Sequence, residues 1–75
     1  MIVGSYAVVL VYSTSHAIRI EKLLRDRKVE SKLIPVPRQI SSDCGVCVRI
    51  ARDEIEAARA VILAAKIEIQ DIIDV

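Results

Sequence analysis

The fold is decided by one short apolar stretch, Tyr6-Ala7-Val8-Val9-Leu10-Val11-Tyr12. The stretch is β-branched and aromatic and is bounded by Gly4 and Ser13, which is typical of a strand. Both alternating sets of side chains along it are apolar, so both faces of the strand must be covered. The stretch therefore predicts a central strand, and a structure with this segment at a sheet edge would contradict the prediction.

Helices and further strands are predicted on the C-terminal side of this strand. Two segments have the apolar spacing of amphipathic helices, residues 15–27 and 54–65. Hydroxyl residues at 13–15 are N-cap candidates for the first helix, and Asp53 with Glu56 fits a capping box at the second. Three other segments are predicted strands, at 29–34, 45–50 and 67–73. Prolines at 35 and 37 imply that the second strand is an edge or ends there.

The predicted order is β-α-β-β-α-β in a single domain that spans residues 1–75. Val29 follows Val8 by 21 positions, and Ile67 follows Val46 by 21 positions, so the two halves match. Two such halves describe an α+β fold, the ferredoxin-like split β-α-β sandwich, with a four-stranded antiparallel sheet and two helices on one face. The predicted strand order is 4-1-3-2, and the open face should carry one apolar set of the first strand beside Cys47 and Arg49.

Composition restricts the function classes. The net charge is +1 with acids and bases interleaved, which argues against a nucleic-acid partner. The longest apolar run is seven residues, whereas a membrane span needs ~20, and no signal peptide is visible, so we expect a cytoplasmic protein without membrane contact. The apolar share of 53% exceeds the ~45–50% of ordinary domains and predicts a homodimer through the open sheet face. Ile18 and Leu63 are further contact candidates.

The residues suited to covalent chemistry lie in a polar loop and at the start of the third predicted strand. This stretch is Ile40-Ser41-Ser42-Asp43-Cys44-Gly45-Val46-Cys47. The chain has one histidine and no glycine-rich phosphate loop, so any covalent chemistry should depend on sulfur. Because a thiolate must be exposed to attack, the loop position favours Cys44 as the functional thiol. We expect it to react faster at neutral pH than an unperturbed cysteine of pKa ~8.5. The loop serines should bond backbone groups.

Cys47 is expected inside the third strand. A three-residue offset in a strand separates Cα atoms by ~10 Å and turns the side chains to opposite faces. A disulfide needs Cα atoms within ~7 Å, so one with Cys44 would require Gly45 to break the strand. Two cysteines and a distant His16 cannot complete a tetrahedral zinc site in one chain, so no metal or other cofactor is expected. We expect His16 at the opposite end of the first strand from Cys44, in a helix-cap or surface role.

Four segments together resemble one known family: Ser13-Thr14-Ser15-His16-Ala17, Glu21-Lys22-Leu23-Leu24, Leu33-Ile34-Pro35-Val36-Pro37-Arg38 and Ser41-Ser42-Asp43-Cys44-Gly45. They are similar to the Se/S carrier protein-like family over about residues 6–73. The resemblance implies that Cys44 is the carrier cysteine and that Arg38 and Gly45 belong to the motif around it. Asp43 precedes the thiol in that loop. Cys47 stands where the family usually has a small residue, so it remains a candidate second thiol without an implied CxxC role.

Two functions from different classes follow. In the first, Cys44 accepts a persulfide or selenopersulfide from a donor protein and passes it to an acceptor protein, as a carrier more than an enzyme and without a cofactor. Arg38 would then support an anionic persulfide or partner, unless it is simply a solvated loop cation. In the second, a non-catalytic dimeric module binds a protein or small ligand in the proline-containing loop. Sulfur uptake at Cys44 separates the two.

Overall fold

The computed structural model describes residues 6–40 and 44–74, and these residues follow the predicted order of elements. Its strands and helices are β1 (Tyr6–Leu10), α1 (Thr14–Asp26), β2 (Ser31–Pro35), β3 (Val46–Ala51), α2 (Ile55–Ala65) and β4 (Asp71–Asp74). The sheet order is β2-β3-β1-β4, and each neighbouring pair is antiparallel. This confirms the α+β ferredoxin-like fold and the predicted strand order. The predictions for Ser41, Ser42 and Asp43 lie outside the described residues.

β1 is a central strand that is buried on both faces, as predicted. Ala7, Val9 and Val11 are wholly buried in the core between the sheet and the helices. The helices fill that core with small and branched side chains from one stripe each, namely Ala17, Ile20, Leu24, Ala58, Val61 and Ile62. The two alternating sets of apolar side chains in β1 therefore have different surroundings. One set packs against the helices, and the other lies on the face of the sheet away from them.

The second face of the sheet carries its own small core. Val8, Leu10 and Cys47 are at most 2% exposed there. Partly buried side chains from neighbouring segments pack against them, namely Ile34, Val36, Ile40 and Ile73. Residues of the proline-containing loop thus cover part of the face that was expected to be open. Because one chain already buries these side chains, the two-sided strand does not by itself require a second copy, and the homodimer stays a prediction.

Some predicted boundaries are wrong. β4 begins at Asp71 rather than at residue 67, because Ile67 packs into the helix-side core before the ladder starts. The Gln70 N–H donates to the Leu10 carbonyl at 2.7 Å and leads the chain into the sheet. The capping box at Asp53 is also wrong, since a short 3-10 turn over Arg52–Glu54 precedes α2 and the N-cap makes no side-chain hydrogen bond.

Candidate functional site

The loop cysteine lies beside the end of β1 and the start of α1. β1 and β3 run antiparallel, with Leu10 opposite Cys47, so β3 starts where β1 ends. Cys44 precedes β3 by two residues, and α1 begins four residues after β1. The prediction that Cys44 would lie near the start of β1, far from His16, is therefore wrong. β1 and β3 are antiparallel neighbours, so the loop that precedes β3 meets the end of β1 and not its start.

A threonine at the helix start contacts the thiol. The Sγ of Cys44 lies 3.7 Å from the Oγ1 of Thr14, and either atom could be the donor. Thr14 is the first residue of α1, and Ser13 is its N-cap, as the sequence predicted. The Ser13 Oγ accepts a hydrogen bond from the backbone N–H of His16 at 3.3 Å. His16 therefore takes part in the cap through its backbone, as the partner of Ser13.

The electrostatic setting of this contact favours negative charge. The first N–H groups of a helix have no intrahelical acceptor, and the macrodipole is positive at that end. No acidic residue stands in the first turn of α1 to offset it. A thiolate or another anionic sulfur species at Cys44 is therefore placed where a helix end can stabilise it.

Cys44 itself is buried, contrary to the expectation of an exposed loop thiol. Its side chain is 7% exposed and belongs to the helix-side core. The backbone explains this, because the Val36 N–H donates to the Gly45 carbonyl at 3.1 Å and extends the pairing of β2 with β3 past Val46. With strand-like alternation continuing this far, Cys44 shares the face of Val46 and Val48.

Cys47 occupies the opposite face, as predicted. It is 0% exposed and packs with Val8 and Leu10. Neither cysteine is in a disulfide. Burial raises the pKa of the Cys47 thiol, and negative charge on Cys44 raises that pKa further. At neutral pH Cys47 is therefore a protonated core side chain.

Of the other residues that the family resemblance places around Cys44, Arg38 and Gly45 are exposed. Arg38 is exposed in a turn in which the Ile40 N–H donates to the Pro37 carbonyl at 3.0 Å. Gly45 is exposed, and a Cβ added there would meet nothing within 4 Å, so crowding does not account for the glycine. Asp43 lies outside the described residues. The half-buried His16 keeps its Nδ1 without a hydrogen-bond partner in the described part of the chain.

Thr14 is the residue that sequence reasoning missed. Its segment, Ser13-Thr14-Ser15, was interpreted as a source of N-caps and as part of the family resemblance, and nothing in the spacing connects it with a cysteine 30 positions later. Only the antiparallel pairing of β1 with β3 brings them together. Over residues 6–40 and 44–74, no group of three or more His, Cys, Asp and Glu side chains could hold a metal ion. In the same ranges no helix is long and apolar enough to cross a membrane.

Comparison with known proteins gives one match. The model of a family described as "Putative Se/S carrier protein-like" matches residues 6–74. No curated protein and no solved structure matches the chain. The match extends from the first residue of β1 to the last residue of β4 and includes Cys44. The chain therefore belongs to the Se/S carrier protein-like family.

Proposed function

We propose that this protein carries sulfur or selenium on Cys44, as a persulfide or selenopersulfide, between a donor protein and an acceptor protein. The observation that carries the proposal is the contact of the Cys44 Sγ with Thr14 at the first turn of α1. Membership of the carrier family supports the cargo and implies protein partners. Cys47 is buried on the other face of the sheet, which supports Cys44 as the reactive thiol.

The transfer needs no oxidant. The Cys44 thiolate attacks the outer sulfur of a donor persulfide, R–S–SH, and forms Cys44–S–SH. The donor S–S bond breaks, and its electron pair leaves with the donor thiolate, R–S⁻. An acceptor thiolate then repeats the same exchange on the carrier, which returns Cys44 as a thiolate. A selenopersulfide follows the same balance with selenium as the outer atom.

Thr14 and the start of α1 would stabilise the charged forms. Both the attacking thiolate and an ionised persulfide place negative charge on sulfur next to the hydroxyl of Thr14. A hydroxyl that donates to an anionic acceptor makes a stronger hydrogen bond than it makes to a neutral one. Arg38, exposed in its loop turn, would act on an anionic partner at the surface, and water would screen its charge.

Burial sets a condition on loading. Cys44 is only 7% exposed, so little of the residue is open to a donor persulfide. The donor must therefore expose the thiol as it binds, and a small unspecific persulfide should load the carrier slowly. The same burial would protect the loaded persulfide from thiols in the cytoplasm during transfer.

Separation of the two thiols would protect the persulfide on Cys44 from attack by Cys47 of the same chain. If Cys47 attacked the inner sulfur of Cys44–S–SH, a disulfide would form and hydrogen sulfide would leave. Cys47 lies on the opposite face of the sheet, and its raised pKa keeps it protonated. An anionic persulfide at Cys44 would raise the pKa of Cys47 further, so loading would itself slow the attack of Cys47 that releases hydrogen sulfide.

The test is sulfur loading followed by intact-protein mass spectrometry. The purified chain is incubated with a cysteine desulfurase and cysteine, and the mass gain of a sulfur atom is measured with and without reductant. We expect a reductant-sensitive gain in the parent chain and in Cys47→Ala, and none in Cys44→Ser. A gain that persists in Cys44→Ser and vanishes in Cys47→Ala would reverse the assignment. If neither cysteine takes up sulfur, the carrier proposal fails and a non-catalytic binding module is the better account.

A further inference from the structure

Two cations face each other at the end of the sheet away from Cys44. The register of β2 and β3 places Lys32 directly opposite Arg49. Side chains in such a pair project from the same face with Cβ atoms ~4.5–5.5 Å apart, and like charges in this position destabilise the sheet. A bound anion between them would remove that repulsion.

The guanidinium of Arg49 lies over an aromatic ring. Its central carbon is 4.3 Å from the centroid of the Tyr6 ring, in a cation-π contact. An arginine that stacks on a ring through the flat face of its guanidinium keeps the N–H donors at the rim available for an oxyanion. Arg49 is half-buried, so the charge of a bound anion would be screened less than at an open surface.

Nearby carboxylates do not neutralise this pair within the described residues. The ion pairs found there join other residues, Arg25 with Glu21 at 2.7 Å and Arg52 with Asp74 at 3.7 Å. Lys32 and Arg49 take part in neither. Two positive charges thus stand side by side without an opposing carboxylate in contact, in the part of the chain that the structure describes.

A cleft of about 160 Å³ lies at this place, lined in part by Tyr6, Lys32 and Arg49. Ser31 also borders the cleft, but it pairs with Ile50 in the register, so its side chain points to the helix side of the sheet, away from Lys32 and Arg49. Glu30 contributes one negative charge to the lining.

We propose that this cleft binds a carboxylate. Two cations and one Glu30 carboxylate leave a local charge of about +1, which matches a monoanionic carboxylate better than a dianionic phosphate. The N–H donors of Arg49 would bind both carboxylate oxygens, and Lys32 would add a point charge. Arg49 follows Cys44 by five positions, an extended span of about 16 Å, so the site is distinct from the thiol and does not depend on the carrier proposal.

The experiment is a titration of the full chain, labelled with ¹⁵N, with sodium acetate at constant ionic strength. We expect saturable shifts at the Arg49 side-chain N–H and the Ser31 amide, and affinity about tenfold weaker in Arg49→Gln. Arg52→Gln is the matched control, because that guanidinium already pairs with Asp74, and it should bind acetate like the parent. Lys32→Gln gives a second variant, and it should also weaken binding while it relieves the repulsion and stabilises the unliganded fold.

Two further titrations identify the source of the carboxylate. A short peptide with a central glutamate that binds more tightly than acetate would assign the site to an acidic side chain of a protein partner. Acetate binding at least as tightly as the peptide would assign it to a free small carboxylate. Tighter binding of inorganic phosphate than of either would overturn the proposal, as would shifts that do not saturate or that remain unchanged in both Arg49→Gln and Lys32→Gln.

Discussion

Cys44 and Cys47 are three positions apart, but they lie on opposite faces of the same sheet. Cys44 lies on the helix side, with Thr14 at 3.7 Å and the start of α1 beside it. Cys47 lies on the other face, where it packs with Val8 and Leu10. Both side chains are buried, so exposure does not distinguish them. The difference is the polar end of a helix, which one face of the sheet offers and the other does not.

This contrast shows how so small a domain can hold two thiols in different surroundings. Strand alternation turns them apart, and the right-handed β-α-β connection places both helices on one side only. A cysteine on the helix side can meet a helix end, whereas a cysteine on the other side behaves as a small hydrophobe. The predictions below test whether the two faces differ in this way.

The largest expected difference is in thiol reactivity. Cys47 should be alkylated by iodoacetamide about a hundredfold more slowly than Cys44, because its exposure requires opening of the sheet core, which costs ~3–5 kcal/mol in a domain of this size. Cys44 adjoins the end of β3 and needs less opening. Single-cysteine proteins, Cys44→Ser and Cys47→Ala, give the two rate constants at neutral pH. Equal rates in these proteins, with equal rates after denaturation as the control, would contradict the contrast.

Two adjacent valines allow a test of whether the face of the sheet away from the helices is already a closed core in the single chain. Val8 and Val9 are adjacent in β1, both 0% exposed, and point to opposite faces. Val8→Ala and Val9→Ala should each lower the free energy of unfolding by about 2 kcal/mol, from two lost methyl groups and a small cavity. Urea unfolding at two protein concentrations measures both.

The outcome of that comparison also bears on the predicted homodimer. If Val8→Ala costs less than half as much as Val9→Ala, the second face is not a closed core in the single chain. If the unfolding midpoint rises with protein concentration, and Val8→Ala removes that rise, a second copy completes the face. An unfolding midpoint independent of concentration, with equal costs for both variants, would count against a dimer through this face.

The sequence predicted the fold because the decisive information is local. In β1, both alternating sets of side chains are apolar, and this alone places the strand between neighbours. The opposite placement of Cys44 and Cys47 also follows from strand alternation. The start of β4 was wrong because Ile67 is apolar and buried like a strand residue, although it packs before the ladder begins. A hydrophobic pattern indicates which residues are buried, but burial alone does not distinguish a strand from the coil that leads into it.

The candidate site was less predictable because it depends on which ends of the strands and helices lie next to each other in the fold. The loop cysteine was identified from its sequence neighbours, but its contact with Thr14 follows from the antiparallel pairing of β1 with β3. The burial of Cys44 follows from the Val36–Gly45 hydrogen bond, which continues strand-like alternation into the loop. Both are long-range features, and no spacing of residues within the loop encodes them.

The pH dependence of stability should reveal the buried thiol. The pKa of Cys47 is raised in the folded state, first by burial and then by negative charge on Cys44. Above the ordinary value of 9.0, the unfolded chain therefore loses this proton while the folded chain keeps it. The free energy of unfolding must fall as pH rises through that range, whereas below it the contribution is fully present.

Two variants isolate this effect. Urea unfolding between about pH 8 and pH 10 should show a steeper loss of stability in the parent chain than in Cys47→Ala, which lacks the thiol. Ultraviolet thiolate absorbance should show a lower pKa for Cys47 in Cys44→Ser than in the parent, because the neighbouring charge is gone, yet still above 9.0 because burial remains. A pKa that rises in Cys44→Ser, or identical pH slopes with and without Cys47, would contradict this account.

The smallest expected effect concerns Thr14. Thr14→Val keeps the shape of the side chain but removes the hydroxyl that contacts the Cys44 Sγ. A hydrogen bond of this kind contributes ~1 kcal/mol, so the rate of sulfur loading from a desulfurase should fall about fivefold while the mass gain at completion is unchanged. Ser15→Ala is the matched control, because it removes an exposed hydroxyl from the same helical turn and should load like the parent. Loading of Thr14→Val at the parent rate would show that the helix end acts without the hydroxyl. An equal loss in Ser15→Ala would instead assign the effect to weakening of the helix start, since both substitutions disturb that turn but only one removes a group in contact with the sulfur.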